Sequence, residues 1–404
     1  LSAASQAFRR SISLKDPDTL ALEEAVRVAL ALISTGVGGS EKLSLEMYRA
    51  LRDLDYEVDL YTASFNERAW EVLTSGMNGI PRPIVLGEPL ISRFFSRPVL
   101  LRNLLVTSYL VRRLRHLVRR LRLHYDLIIE TFLGVPLKWV DVTYVHFPLA
   151  GLLKFYLEHQ YRLRLYERTY NSLVAWMTRA ISDDTKPVMT NSTWTAKYIR
   201  EAYGNKRVYV VHPPVNVEEL SSIGGGRGKV VLTVSRIDWA KRVTEIPEVA
   251  KLVPEAEFYL VGSTRPASGP ILKVLKERSE GLRNFHLETD VPRRRILELM
   301  SQASIYLHPP FAEHFGIAIA EAAAAGLVPV VYRDGGGWTD IVSRIDQGLG
   351  YMSVEEAAHI IRSLLNDPGR PKALSARARE VAKGFSYDRF KERLNEVIKE
   401  LARA

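Results

Sequence analysis

Glu313-His314-Phe315-Gly316-Ile317-Ala318-Ile319-Ala320-Glu321 holds two carboxylates, a small helix-opening step and an alanine-rich stretch. The apolar run 305–307 before it reads as a buried strand that His308-Pro309-Pro310 ends, and the pattern predicts a helix from near Phe315 to Gly326. Such a start leaves the N–H groups of Phe315, Gly316 and Ile317 without intrahelical partners, and the helix dipole adds partial positive charge there. That is an anion site suited to phosphate. Glu321 lies about one and a half turns further on, where a sugar or ribose hydroxyl is its natural partner. Acidic residues favour first turns in any case, so the two glutamates carry this reading only in context.

The context is an α/β chain. Apolar, β-branched runs alternate with amphipathic helical stretches, the pattern of parallel sheets. One series comprises runs at 26–34, 58–61, 127–130, 143–146 and 188–191. A second comprises runs at 208–211, 230–235, 257–261, 285–287, 305–307 and 328–332. At 404 residues two cores are expected. The predicted division is a polar leader at 1–23, a first Rossmann-like domain at 24–207, a second at 208–384 and a final helix at 385–404. In open parallel sheets ligands bind beyond the carboxyl ends of strands, so the loops there are where chemistry is sought.

Three such loops carry candidates. The run 230–234 leads into Arg236, with Lys241 five residues on. A rigid guanidinium fork and a compact ammonium make a sensible pair for the two phosphates of a nucleotide diphosphate, although basic residues after a strand are more often solvated. Gly36, Gly38 and Gly39 follow the first strand, where glycine lets backbone approach a ligand, or simply makes a turn; they do not complete a dinucleotide fingerprint. His146 ends the run Thr143-Tyr144-Val145-His146 at the carboxyl end of a strand.

Metal chemistry is not expected: the short acidic pairs Asp16-Pro17-Asp18 and Asp53-Leu54-Asp55 sit in the leader and at a helix end. With no cysteine, disulfides, thiolate metal sites and thiol nucleophiles are excluded. No apolar run approaches the roughly 18 residues of a membrane span, and the amino terminus does not read as a secretory signal.

The motifs around Glu313, Phe315-Gly316 and Glu321, with Arg236 and Lys241, resemble those of the retaining GT-B nucleotide-sugar glycosyltransferases of family GT4. His314-Phe315-Gly316-Ile317 after Glu313, Asn191-Ser192-Thr193-Trp194-Thr195, His146-Phe147-Pro148 and the stretch Gly335 to Val342 narrow the likeness to the Alg11-type GDP-mannose α-1,2-mannosyltransferases. The loop Ser235-Arg236-Ile237-Asp238-Trp239 departs from the family's usual phosphate-loop word.

The resemblance implies two Rossmann-like domains facing across a cleft, with a C-terminal helix crossing back to the first. It places Arg236 and Lys241 on the donor diphosphate with the Phe315, Gly316 and Ile317 amides beside it, Glu313 on the sugar hydroxyls and Glu321 on the ribose. Gly38 and Gly39 come near the donor phosphate or the acceptor, and His146 lies beside the reacting sugar. It implies no cofactor and no metal, a nucleotide-diphosphate sugar as donor and a lipid-linked saccharide as acceptor. Two other readings stay open: a soluble glucosyltransferase or glucan synthase using UDP- or ADP-glucose, and a non-catalytic nucleotide-sugar-binding subunit of a membrane glycosylation complex.

The charge distribution points to a membrane surface independently. Net charge is +10, and residues 91–125, with nine Arg and no Asp or Glu, supply +9 of it. From Leu110 to Leu121 apolar residues recur at helical spacing between Arg112, Arg113, Arg115, Arg119 and Arg120, with Arg122 just beyond, as on a helix lying on anionic headgroups. Tyr156, Tyr161 and Trp176 fall in an aromatic and basic stretch suited to the wall around a lipid-linked acceptor. No nucleic-acid motif accompanies this surface. The expected location is cytoplasmic, peripheral on the cytoplasmic face of a membrane.

Overall fold

The computed structural model describes residues 26–34, 38–77, 79–85, 112, 115, 116, 118, 124–159, 164–224, 228–367 and 369–403. They fall into two compact units. The first takes the described residues up to 191, with 195–211 and those from 390 on, and the second takes 192–194 and the described residues of 212–389.

The first unit holds a seven-stranded sheet of β1 Arg27–Ser34, β2 Glu57–Ser64, β3 Ile84–Val85, β4 Leu127–Glu130, β5 Val142–Val145, β6 Val188–Thr190 and β7 Val208–Val210, in the order β3-β2-β1-β4-β5-β6-β7. The second unit holds a six-stranded sheet of β8 Val230–Arg236, β9 Glu257–Ser263, β10 Phe285–Thr289, β11 Ile305–His308, β12 Val328–Tyr332 and β13 Gly350–Tyr351, in the order β10-β9-β8-β11-β12-β13. Every neighbouring pair is parallel. Parallel strands are covered by helices on both faces, so their sequences are apolar runs rather than alternations. All four residues of β4, β5 and β11 are buried for this reason.

Two strands escaped the sequence reading. β3 is two exposed residues and β13 is Gly350-Tyr351, neither long enough to carry a pattern. A third is a correction: the run at 208–211, counted above as the start of the second series, pairs with β6 and ends the first sheet. An isolated β-branched run does not reveal which sheet edge will accept it. The last helix, Tyr387–Arg403, contributes its residues from Phe390 onward to the first unit, where Arg393 Nε donates to Val210 O at 3.2 Å and Tyr209 OH to Glu400 Oε1 at 2.6 Å.

In the second unit Leu232, Phe258, Leu260, Ile305 and Val330 meet the helix Ile317–Ala324 in one core. That helix presents Ala320, Ala322, Ala323 and Ala324, all at most 1% exposed, so its backbone lies close to the sheet. Burial of each Leu, Ile or Phe contributes about 1.5–3 kcal/mol. In the first unit Glu130, at the end of β4, is a wholly buried carboxyl. Its Oε1 accepts from the amides of Phe132 and Leu133, each at 2.7 Å, while Oε2 has no partner among the described residues.

Candidate functional site

In the second unit the carboxyl ends of β8 and β11 supply the charged groups. Past Arg236, the turn Trp239–Lys241 is capped by Asp238, whose side chain accepts from Ala240 N, and it delivers Lys241 Nζ to Glu313 Oε2 at 2.5 Å. His308, the last residue of β11 and 4% exposed, donates from Nε2 to the same oxygen at 3.2 Å. Burial alone raises the Glu313 pKa, but Lys241 and His308 outweigh it and hold the carboxyl well below the usual carboxylate range. Burial pushes His308 below its ordinary value despite Glu313, so the ring is neutral and its proton sits on Nε2. His308 Nδ1 is buried without a partner among the described residues. No hydrogen bond or ion pair among those residues engages the Arg236 guanidinium.

The Glu313 loop is held by glycines. Glu313 forms a parallel bridge with Gly335 and its carbonyl accepts from Gly336 N at 2.7 Å. Gly335 has φ +95, and a Cβ there would lie 2.5 Å from Glu313 N and O; at Gly336 it would lie 2.0 Å from His314 O. Only glycine lets the two backbones meet.

Gly316, with φ +91, is the N-cap of the helix Ile317–Ala324, so the helix begins two residues later than Phe315. Ile319 N and Ala320 N already bond Gly316 O, which leaves Ile317 and Ala318 as the leading helical amides. Phe315 is an anchor instead, its ring 5.3 Å from Phe385 and 5.5 Å from His212. Glu321 lies one turn into the helix with Arg293 Nη1 3.8 Å from its Oε1.

Three contributors were missed from sequence. His308 read only as a strand end, though a histidine five residues before Glu313 was a signal. Arg242, with φ +47, stacks 3.2 Å above the Phe311 ring centre and pairs with Glu245, bracing the Lys241 turn. Asp340 sits in the π-helical turn Gly337–Val342, where it accepts from Thr193 N at 2.7 Å, Thr193 Oγ1 and Thr339 Oγ1 at 2.5 Å each, and His212 Nε2 at 2.8 Å. Burial raises its pKa, but these donors hold it below the ordinary value. They fix the segment 192–194, where Ser192 Oγ donates to His314 O at 2.5 Å and Trp194 Nε1 to Asp334 Oδ1 at 2.9 Å. Asp340→Ala is expected to cost about 2 kcal/mol in chemical unfolding, because it removes a buried carboxylate that accepts four hydrogen bonds. A loss under about 1 kcal/mol would show that the cluster does not hold this face together.

In the first unit His146 follows β5 and its Nε2 donates to Thr131 O at 3.0 Å, while its own carbonyl accepts from Asn191 Nδ2 at 3.0 Å. Thr131 Oγ1 meets Ser44 Oγ at 2.7 Å. Gly38 caps the helix Gly39–Arg52 in extended conformation, and the Glu41 carboxylate stands 2.6 Å from where a Gly38 Cβ would be. Gly36 lies outside the described residues.

Of the surface residues, Arg112, Arg115 and Trp176 are exposed and Tyr156 is half-buried, while Arg113, Arg119, Arg120, Arg122 and Tyr161 lie outside the described residues. Val118, on the apolar stripe of that segment, is buried. No helix of the described residues is long and apolar enough to cross a membrane.

A strand-end arginine, a lysine beside a half-buried carboxylate, and a glycine-capped helix start with a second carboxylate one turn on make an arrangement in an α/β sheet that suits an anionic ligand. Residues 223–381 match the family model described as glycosyl transferases group 1, and residues 37–219 match glycosyltransferase family 4. The chain belongs to these glycosyltransferases.

The GDP-Man:Man(3)GlcNAc(2)-PP-Dol alpha-1,2-mannosyltransferase of Dictyostelium discoideum is 25% identical over 261 residues, 57% of this chain and 50% of the relative. Its counterpart in Neurospora crassa is 30% identical over 270 residues, 56% and 47%. The chain spans about half the length of these curated relatives. Among solved structures, WaaG, a glycosyltransferase involved in lipopolysaccharide biosynthesis, has TM-score 0.65 at 18% identity over 92% of this chain and 99% of WaaG. Anabaena Alr3699/HepE in complex with UDP-glucose has TM-score 0.66 at 16% identity over 93% and 99%. The fold is GT-B.

Proposed function

We propose that the protein is a retaining hexosyltransferase that moves mannose from GDP-mannose onto a lipid-linked saccharide at a membrane surface. The observation that carries the reading is the Lys241–Glu313 ion pair, which joins the loop that follows Arg236 to the loop that precedes the helix start at Gly316. A donor diphosphate competes with Glu313 for Lys241 and takes Arg236 and the Ile317 and Ala318 amides as further partners, offsetting the charge that develops on the leaving group. Glu313, released from the ammonium, accepts hydroxyls of the transferred sugar, with His308 orienting it. Glu321 accepts from the ribose. The departing phosphate oxygen takes the acceptor proton, so no second catalytic carboxylate is required. These cations replace a metal, and turnover in the presence of a chelator is expected. The donor and acceptor rest on the names of the relatives, which cover this chain only in part.

The test is transfer by the purified protein from GDP-mannose, UDP-glucose and UDP-N-acetylglucosamine to a lipid-diphosphate oligosaccharide. Transfer from GDP-mannose alone is the expected result. Use of a UDP-sugar would overturn the mannosyl assignment, and donor binding without turnover would overturn the catalytic one.

A further inference from the structure

The helix Leu165–Ile181 in the first unit buries its small side and exposes its large one. Asn171, Val174, Ala175 and Thr178 are its buried residues. Leu165 is 81% exposed, Trp176 69%, Tyr166 55% and Leu173 41%, which gathers on one helix apolar surface that soluble proteins usually scatter. At about 100° per residue, Leu165, Trp176, Thr169, Leu173 and Tyr166 fall within a sector of about 100°, and the exposed Arg179 and Arg168 follow along one edge of it. The helix has a single acidic residue, Glu167, which faces away from this sector and accepts from Arg164 N at 2.6 Å as a cap.

We propose that this face docks on an anionic lipid bilayer, with Leu165, Leu173 and Trp176 at the boundary of headgroups and acyl chains and Arg168 and Arg179 on lipid phosphates. Charge complementarity selects that occupant. Two copies seated face to face would bring their arginine rows together with no acidic group in the sector to offset them, whereas anionic headgroups partner every arginine. The docking face is distinct from the arginine-rich segment 91–125, and it rests on the lipid-linked acceptor reading only for its purpose. Binding is therefore measured without donor or acceptor, so that the two fail separately.

The experiment is flotation of the purified full chain with vesicles of phosphatidylcholine alone and of an equal mixture of phosphatidylcholine and phosphatidylglycerol. Binding to the mixed vesicles is expected to fall at least about tenfold in the double variant Leu165→Ser, Trp176→Ser, with unchanged circular dichroism and thermal midpoint. A Trp176→Phe variant should keep binding and lose the quenching of tryptophan fluorescence by brominated lipid. Equal binding by wild type and double variant, or full quenching retained in Trp176→Phe, would overturn the assignment. So would a dimer in light scattering that the double variant dissociates, which would make the face an interface between copies.

Discussion

Arg236→Ala is expected to lower turnover about a hundred- to a thousandfold while the unfolding midpoint stays within about a degree of wild type. The two effects separate because no ion pair or hydrogen bond among the described residues depends on this guanidinium, so its removal is felt only when a diphosphate is present. Lys241→Ala should behave differently. It loses turnover to a similar extent and also costs stability, because Glu313, 19% exposed in its side chain, is left with only a neutral histidine beside it. Arg236→Lys should recover only part of the rate, since an ammonium offers a point charge in place of a fork. The checks are steady-state rates at saturating donor, with thermal unfolding of each variant. Wild-type rates in both alanine variants would remove the phosphate assignment.

Glu130→Gln is expected to flatten the pH dependence of stability by about 4 kcal/mol between about pH 4.5 and 8. Burial pushes the Glu130 carboxyl up to about 8, against the pull of the Leu133 and Phe132 amides. The folded state therefore keeps a proton that the unfolded chain gives up from about pH 4.5 upward. With more protons on the folded state, stability falls as pH rises through that window and levels off above about 8. Glutamine keeps an oxygen for both amides and does not titrate, so the variant gains on wild type as pH rises. Urea unfolding of both proteins near pH 5 and near pH 8 measures the difference, in which all other titrations cancel. A constant difference between the two pH values would mean that the carboxyl is ionised when folded. The partnerless Oε2 favours the protonated form, because a buried, unpaired ionised oxygen costs more than an unpaired hydroxyl.

Much of the candidate site was legible because it lies on local sequence. Arg236 and Lys241 sit at the end of a recognisable strand, and Glu313, Gly316 and Glu321 share one helix start, so spacing ordered them and the family resemblance singled them out. The partners were not legible, because each comes from a distant segment: Lys241 to Glu313 spans 72 positions and Thr193 to Asp340 spans 147. The helix start was misplaced by two residues because Phe315 and Gly316 look like good first-turn residues, yet the φ of +91 at Gly316 makes it the cap. Tyr156, read as part of an aromatic wall, is half-buried, while Trp176 is exposed. Helical periodicity shows that a stripe exists but not which side of a helix the sheet will cover.

By itself the sequence determined the class of fold, the positions of eleven strands and the residues that bear charge at strand ends, since these follow from local runs and periodicity. Only the tertiary structure decided that β7 closes the first sheet, that His308 and Lys241 share one carboxylate oxygen of Glu313, that Gly335 and Gly336 exist to let two backbones touch, and that the helix Leu165–Ile181 turns its largest apolar side chains outward. Those facts depend on which remote segments come within hydrogen-bond or van der Waals reach, and such short-range forces are set by packing that local spacing does not encode.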